Sequence, residues 1–209
     1  MIRHIDAPAS LEGIKKPPRQ AAGDGLVKEL DQAPTLPPGI LVGIEHALAA
    51  MIKANTWDSV ALSVALSLAY SLVRAVHVSR STIAHYNAAT LWCRAFRGKG
   101  KKDGVRRPFS WALVRHGPAG VDFGGHILER WTALSKNFGA PLNSLCFDAV
   151  TGALIDYAHL IGIVQRVASA LLPDPAQSVM VTTYSFRRYA STFCSIAGTS
   201  PPDQVDFGG

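Results

Sequence analysis

The residues in this chain best suited to chemistry are cations. Arg74 closes a long apolar run, Tyr70-Ser71-Leu72-Val73-Arg74. Lys99 sits among glycines in Gly98-Lys99-Gly100-Lys101-Lys102, with Arg106-Arg107-Pro108 just beyond. A Tyr-x-x-Arg pair, Tyr184 and Arg187, opens the stretch 183–193. A cation near a helix start opposes the helix dipole, so Arg187 in that place points to an anionic partner. Arg74 taken alone also fits a plain role, a cation reaching over the last carbonyls of a helix. Arg188 reads as a surface or nucleic-acid-backbone residue.

The charge distribution points the same way. The chain has 209 residues, 21 Lys+Arg, 15 Asp+Glu and a net charge of +6. Residues 94–115 hold Arg94, Arg97, Lys99, Lys101, Lys102, Arg106, Arg107 and Arg115 against Asp103 alone, so the rest of the chain is close to neutral. One basic segment on an otherwise balanced protein suits a polyanion, nucleic acid being the commonest, and equally a solvated hairpin tip. Other chemistries find little support. Cys93, Cys146 and Cys194 are far apart with no CxxC pair, which argues against a zinc ribbon or a disulfide framework and for a reducing, intracellular setting. His77, His85, His116, His126 and His159 show no ligand spacing, so no metal and no cofactor is expected. The longest uncharged run, 59–73, carries four serines and falls short of the roughly 20 residues of a spanning helix, so no membrane association is expected.

These residues need elements to hold them. Six of the 13 prolines lie in residues 1–38, which read as a linker or disordered tail, with the folded part starting near Gly39. Leu41, Ile44, Leu48 and Met51 form a helical stripe. Residues 57–78 read as one helix, apolar nearly all round and therefore central to a core, carrying Arg74 near its end. Residues 79–89 read as a loop. Residues 90–97 and 105–114 read as the two strands of a basic β-hairpin, the second demoted to an edge or bulged strand by Pro108. Helices are expected over 121–137, twice within 142–172, over 185–197, and again from Ser200-Pro201. A short β-rich piece is expected at 179–183. Trp92, Trp111 and Trp131 read as core, and Trp57 as a helix-start staple. The pentapeptide Val-Asp-Phe-Gly-Gly recurs at 121–125 and 205–209 in different contexts and is treated as coincidence. The fold class expected is α+β, mainly α-helical, with a small antiparallel hairpin or sheet.

Arginine after a buried helix, lysine in a β-hairpin, Tyr-x-x-Arg at a later helix start: this order resembles the catalytic domain of the tyrosine recombinases, the phage integrase family. In that family the first box reads roughly Gly-Leu-Arg, the hairpin lysine follows, and the second box reads His-x-Leu-Arg. The resemblance covers about residues 40–209 and implies a recombinase-like catalytic core over 39–209 that binds double-stranded DNA, breaks and rejoins it, and assembles with further copies on the DNA. It implies Arg74 and Arg187 as the arginines that clamp the scissile phosphate, since fixed bidentate donors suit its non-bridging oxygens as they gain charge. Lys99 is implied as general acid toward the leaving 5′-oxygen. Tyr184 stands where the family has a histidine. Arg94, Arg97, Lys101, Lys102, Arg106, Arg107 and Arg188 would contact the DNA. The family's nucleophile is a tyrosine that forms a covalent phosphotyrosine link, with no metal and no ATP.

The departures are specific. His77 replaces the acidic residue that usually braces the first arginine. Tyr70, Tyr86, Tyr157, Tyr184 and Tyr189 all precede the nucleophile's position, and Tyr189 reads as packing. Phe207-Gly208-Gly209 looks like the lead-in to the family's next His/Trp position, which would be residue 210. The chain therefore resembles a truncated, mobile-element-like recombinase core, inactive on its own. The alternative is a non-catalytic nucleic-acid-binding module working through the hairpin 94–115. A helical membrane-associated protein is the weakest reading.

Overall fold

A computed structural model describes residues 33–98 and 107–198. The fold is mixed α+β: six α-helices, one 3₁₀ segment and a three-stranded antiparallel sheet among the described residues. None of these helices is long and apolar enough to cross a membrane.

The centre of the fold is the helix foreseen as apolar all round, but it is shorter than expected. Helix α1 spans Pro38–Lys53 and α2 spans Ser59–Ser71. Twelve of the 13 residues of α2 are buried. Its serines do not spoil this burial: Ser63, Ser67 and Ser71 each return a hydroxyl hydrogen bond to a backbone carbonyl three or four residues back. Around α2 pack α1, α4 (Phe123–Phe138), α5 (Tyr157–Leu171), α6 (Thr183–Ile196) and one edge strand of the sheet. Leu36 is already buried, so packing begins inside the proline-containing stretch that composition assigns to the tail.

The single helix expected over 57–78 is broken. Leu72 takes a left-handed backbone conformation, φ 55°, and Arg74 becomes the residue before a four-residue helix α3, Ala75–Val78. Arg74 is therefore not a cation over the carbonyls of α2. Leu72 has no glycine's freedom at positive φ, so nothing in the residue types announces the break.

Three further expectations are corrected. Residues 79–89 are not a loop but contain strand β1, Ser81–Tyr86, which pairs antiparallel with β2, Thr90–Ala95, while β2 pairs with β3, Phe109–Val114. A bulge in β1 disrupts the alternation that would have revealed it. Residues 142–172 hold one helix rather than two, because 139–156 are occupied by turns and an isolated bridge between Phe147 and Leu154. Residues 179–183 form no strand. Asp174 accepts from Ala176 N–H, Pro175 opens a 3₁₀ segment (Pro175–Met180), and Thr182 caps α6. The helix expected from Ser200 lies outside the described residues.

Candidate functional site: two arginines in one cleft

The break after α2 turns Val73 and Arg74 toward the start of α6. That start is built by a capping box: the Thr182 hydroxyl accepts from the first turn of the helix, and Ser185 Oγ accepts from Thr182 N–H at 3.2 Å. Phe186 and Ala190 anchor α6 in the core, which leaves Arg187, half-buried, on the side facing the chain at 73–76. Between the two elements lies a cleft of about 160 Å³. It is lined by Val73, Arg74, Val76, Tyr157, Thr183, Tyr184 and Arg187, with Ala75 at the turn.

Three of the residues singled out in the sequence thus meet, although Arg74 and Arg187 come from distant parts of the chain. Arg74 Nε and Arg187 Nη1 are buried without a hydrogen-bond partner. Among the described residues no carboxylate forms an ion pair with either. Burial, and after it the neighbouring charge of Arg74, holds the Arg187 guanidinium below its ordinary pKa. The α6 N-terminus adds its positive dipole end to the same cleft. Two guanidiniums and a helix start converging on a small space form an arrangement that an anion stabilises. Phosphate suits it by geometry, because planar guanidinium forks match its oxygens.

Tyr184 is exposed at the cleft mouth, and its backbone N–H donates to Thr182 Oγ1 at 3.2 Å. Tyr157, not singled out from the sequence, is a second phenol on the cleft wall, with its hydroxyl 3.3 Å from Thr183 Oγ1. No sequence signal marks Tyr157 for this place: it opens α5, and only the meeting of the first turn of α5 with the first turn of α6 brings it there. His77 is buried with its ring edge-on to Phe109, centroids 4.9 Å apart, so the position of the expected acidic brace is filled by a packed imidazole.

The basic set divides. Lys99, Lys101, Lys102 and Arg106 lie outside the described residues. At the root of that segment Gly98 N–H donates to Arg107 C=O at 2.7 Å, which holds its two ends together. Arg94, Arg97 and Arg107 are exposed. Arg188, expected on a DNA backbone, donates to the Ala33 carbonyl at 2.6 Å and so ties α6 to the chain leading into α1. Arg115 is taken up internally by a two-pronged pair with Asp122. Trp111 is buried as expected, its indole N–H donating to Ser81 Oγ. Trp92 and Trp131 are only partly buried, and Trp92 stacks on His85. Trp57 is half exposed and leans over His159 rather than stapling into the core. Tyr189 packs edge-on against Tyr70. No group of three or more His, Cys, Asp or Glu side chains suited to a metal ion occurs among the described residues.

Compared with family models and with the sequences of curated proteins, the chain matches none.

Proposed function

We propose that this chain is a phosphodiester-binding domain of the DNA breaking-rejoining type, with Arg74 and Arg187 as its phosphate clamp. The observation that carries this reading is their convergence in one cleft, each with a buried donor that no group among the described residues satisfies. A satisfied structural arginine needs a carboxylate or carbonyl; a pair of arginines without either is suited to an external anion.

Leu72 adds support from the backbone. Its left-handed φ falls two residues before Arg74, the place of glycine in the Gly-Leu-Arg box that the sequence resembles. A box that needs positive φ at that residue explains both a glycine there and the strain of a leucine.

The reaction implied by the resemblance is a transesterification. A tyrosine oxygen attacks phosphorus, the bond to the 5′-oxygen breaks, and Lys99 protonates the departing oxygen. The clamp would hold the phosphate and stabilise the charge gained by its non-bridging oxygens. No tyrosine of residues 1–209 matches the family's nucleophile, so the reading for this stretch is binding and charge stabilisation of the phosphodiester, with double-stranded DNA as partner.

The exposed Arg94, Arg97 and Arg107 favour a second reading, a non-catalytic nucleic-acid-binding module. One experiment separates the two. Binding of a labelled 20-base-pair duplex is followed by fluorescence anisotropy across salt concentrations. With about six phosphate contacts, affinity should fall roughly 10³-fold between 50 and 200 mM salt. Arg74→Ala and Arg187→Ala should each weaken binding by about tenfold, the scale of one lost charge-assisted contact. If both bind as wild type while Arg94→Ala and Arg97→Ala lose affinity, the clamp reading fails and the module reading stands. Salt-insensitive or absent binding overturns both.

A further inference from the structure

The outer face of the sheet carries an independent feature. Along β2 the side chains alternate, so Leu91, Cys93 and Ala95 enter the core while Trp92 and Arg94 share the opposite face, and exposed Phe96 follows just past the end of the strand. Their partners across β3 are small, Ala112 opposite Trp92 and Ser110 opposite Arg94, and both are exposed. Trp92 and Arg94 are therefore left with little cover from β3 on that side.

The bulge in β1 acts on this same face. Ile83 pairs with Cys93, but the register then skips Ala84 and pairs His85 with Trp92. Without the skip, Ala84 would oppose Trp92 and His85 would oppose buried Leu91 on the inner face, since one residue of slip exchanges the faces. The bulge thus delivers an exposed imidazole onto the Trp92 side, where the rings stack with centroids 4.5 Å apart and 12° between planes.

The strands of the sheet and their flanks carry charge of one sign. Residues 79–98 and 107–116 contain Arg80, Arg94, Arg97, Arg107 and Arg115 and no Asp or Glu. Arg115 is neutralised by Asp122, whereas Arg80, Arg94, Arg97 and Arg107 are exposed. A stacked aromatic pair, His85 exposed and Trp92 partly buried, on a sheet whose own residues carry cations and no acid meets both needs of a single-stranded nucleic acid: π-faces for bases and cations for the backbone.

We propose that the Trp92–His85 pair, with Arg94 and Phe96, is a stacking platform for unpaired bases of single-stranded nucleic acid. The platform does not depend on the Arg74–Arg187 cleft, and its partner differs from the duplex assigned there. In duplex DNA the base faces are covered by their neighbours, so a stacking platform selects unpaired nucleotides.

The test compares two labelled oligonucleotides with identical phosphates, a dodecamer of thymidine and an abasic dodecamer, by anisotropy at one salt concentration. The intact protein should bind the thymidine dodecamer about tenfold more tightly, the effect of stacking a base on an aromatic side chain. His85→Ala, a change at an exposed position, should reduce that preference to within twofold and leave the affinity for the abasic chain unchanged. Trp92→Leu should do the same, and Arg94→Ala should weaken both oligonucleotides alike. Arg187→Ala should keep the preference, so failure of the cleft and failure of the platform are read separately. Equal affinity for the two oligonucleotides, no measurable binding of either, or a preference that survives both His85→Ala and Trp92→Leu overturns the proposal.

Discussion

Two polar regions flank the central helix and are built on opposite rules. In the turn at 115–125 every charged group has found a partner. Glu45, fully buried, accepts from Tyr70 Oη at 2.9 Å and from Ala119 N–H at 3.0 Å. The chain passes so close that a side chain at Gly117 would collide with the Glu45 carboxylate. Burial, and after it the bond to Glu45, pushes the Tyr70 hydroxyl well above the ordinary phenol pKa. Arg115 grips Asp122 with two donors, and Asp122 also caps α4 through Gly125 N–H at 2.7 Å. In the cleft at 73–76 and 183–187, two arginines lack an acidic partner among the described residues, and Leu72 just before it holds a left-handed backbone. The same residue type is a paired strut in one place and stands without a described carboxylate in the other. Its partner, not its identity, sets the role.

The contrast predicts opposite trade-offs. Glu45→Ala strips two part-buried donors of their acceptor and leaves a hole where a fully buried side chain stood, and should lower stability by about 3 kcal/mol in denaturant titrations. Arg187→Ala removes a half-buried cation that burial and a like charge already disfavour, so stability should change by less than about 1 kcal/mol even where the proposed DNA affinity falls. A stability loss for Arg187→Ala as large as that for Glu45→Ala would make the cleft another structural cluster and erase the distinction.

A smaller effect is expected at Asp122. Burial works to raise its pKa, but the Arg115 hydrogen bonds, the Gly125 N–H and the charges of Arg115 and His116 together outweigh it, and the carboxyl lies below the usual range. Its contribution is therefore complete above the unfolded carboxylate pKa of about 4 and is lost as pH falls below that value. Asp122→Asn should cost about 1–2 kcal/mol at pH 7, a cap plus a partly exposed ion pair, and the difference from wild type should shrink as pH falls below about 4. A constant difference across that range would show that the pair contributes nothing electrostatic.

The smallest effect tests the strain. Leu72→Gly removes a side chain that is largely buried, a loss of about 2 kcal/mol, but relieves a left-handed leucine worth about 1–2 kcal/mol. The two nearly cancel, so the melting midpoint should move little, whereas Leu72→Ala should lose the burial without relief. If Leu72→Gly destabilises as much as Leu72→Ala, the conformation at 72 is not strained.

Much of the fold was legible because its helices declare themselves by period. The stripe Leu41, Ile44, Leu48 marks α1, the all-apolar run marks α2, and Ile127 and Leu134 mark the buried side of α4. Strand β1 was not legible, because Ser-Thr-Ile-Ala-His-Tyr carries little apolar alternation and the bulge removes what there is. The irregular chain at 142–156 reads as helix in the sequence because Leu142, Leu145, Cys146 and Phe147 supply apolar residues without a helix to arrange them.

The amino-acid sequence by itself determined the chemical inventory: an excess of cations placed in one segment, two arginines and a tyrosine at recognisable spacings, and a core helix without a charge. Composition and period suffice for these, since they depend on residue type and near neighbours alone. Tertiary structure alone decided which arginines are free. The pairing of Arg115 with Asp122, the tie of Arg188 to Ala33, and the meeting of Arg74 with Arg187 and Tyr157 all depend on how distant elements dock. A charge's partner is set by distances through space, which the spacing along the chain does not encode.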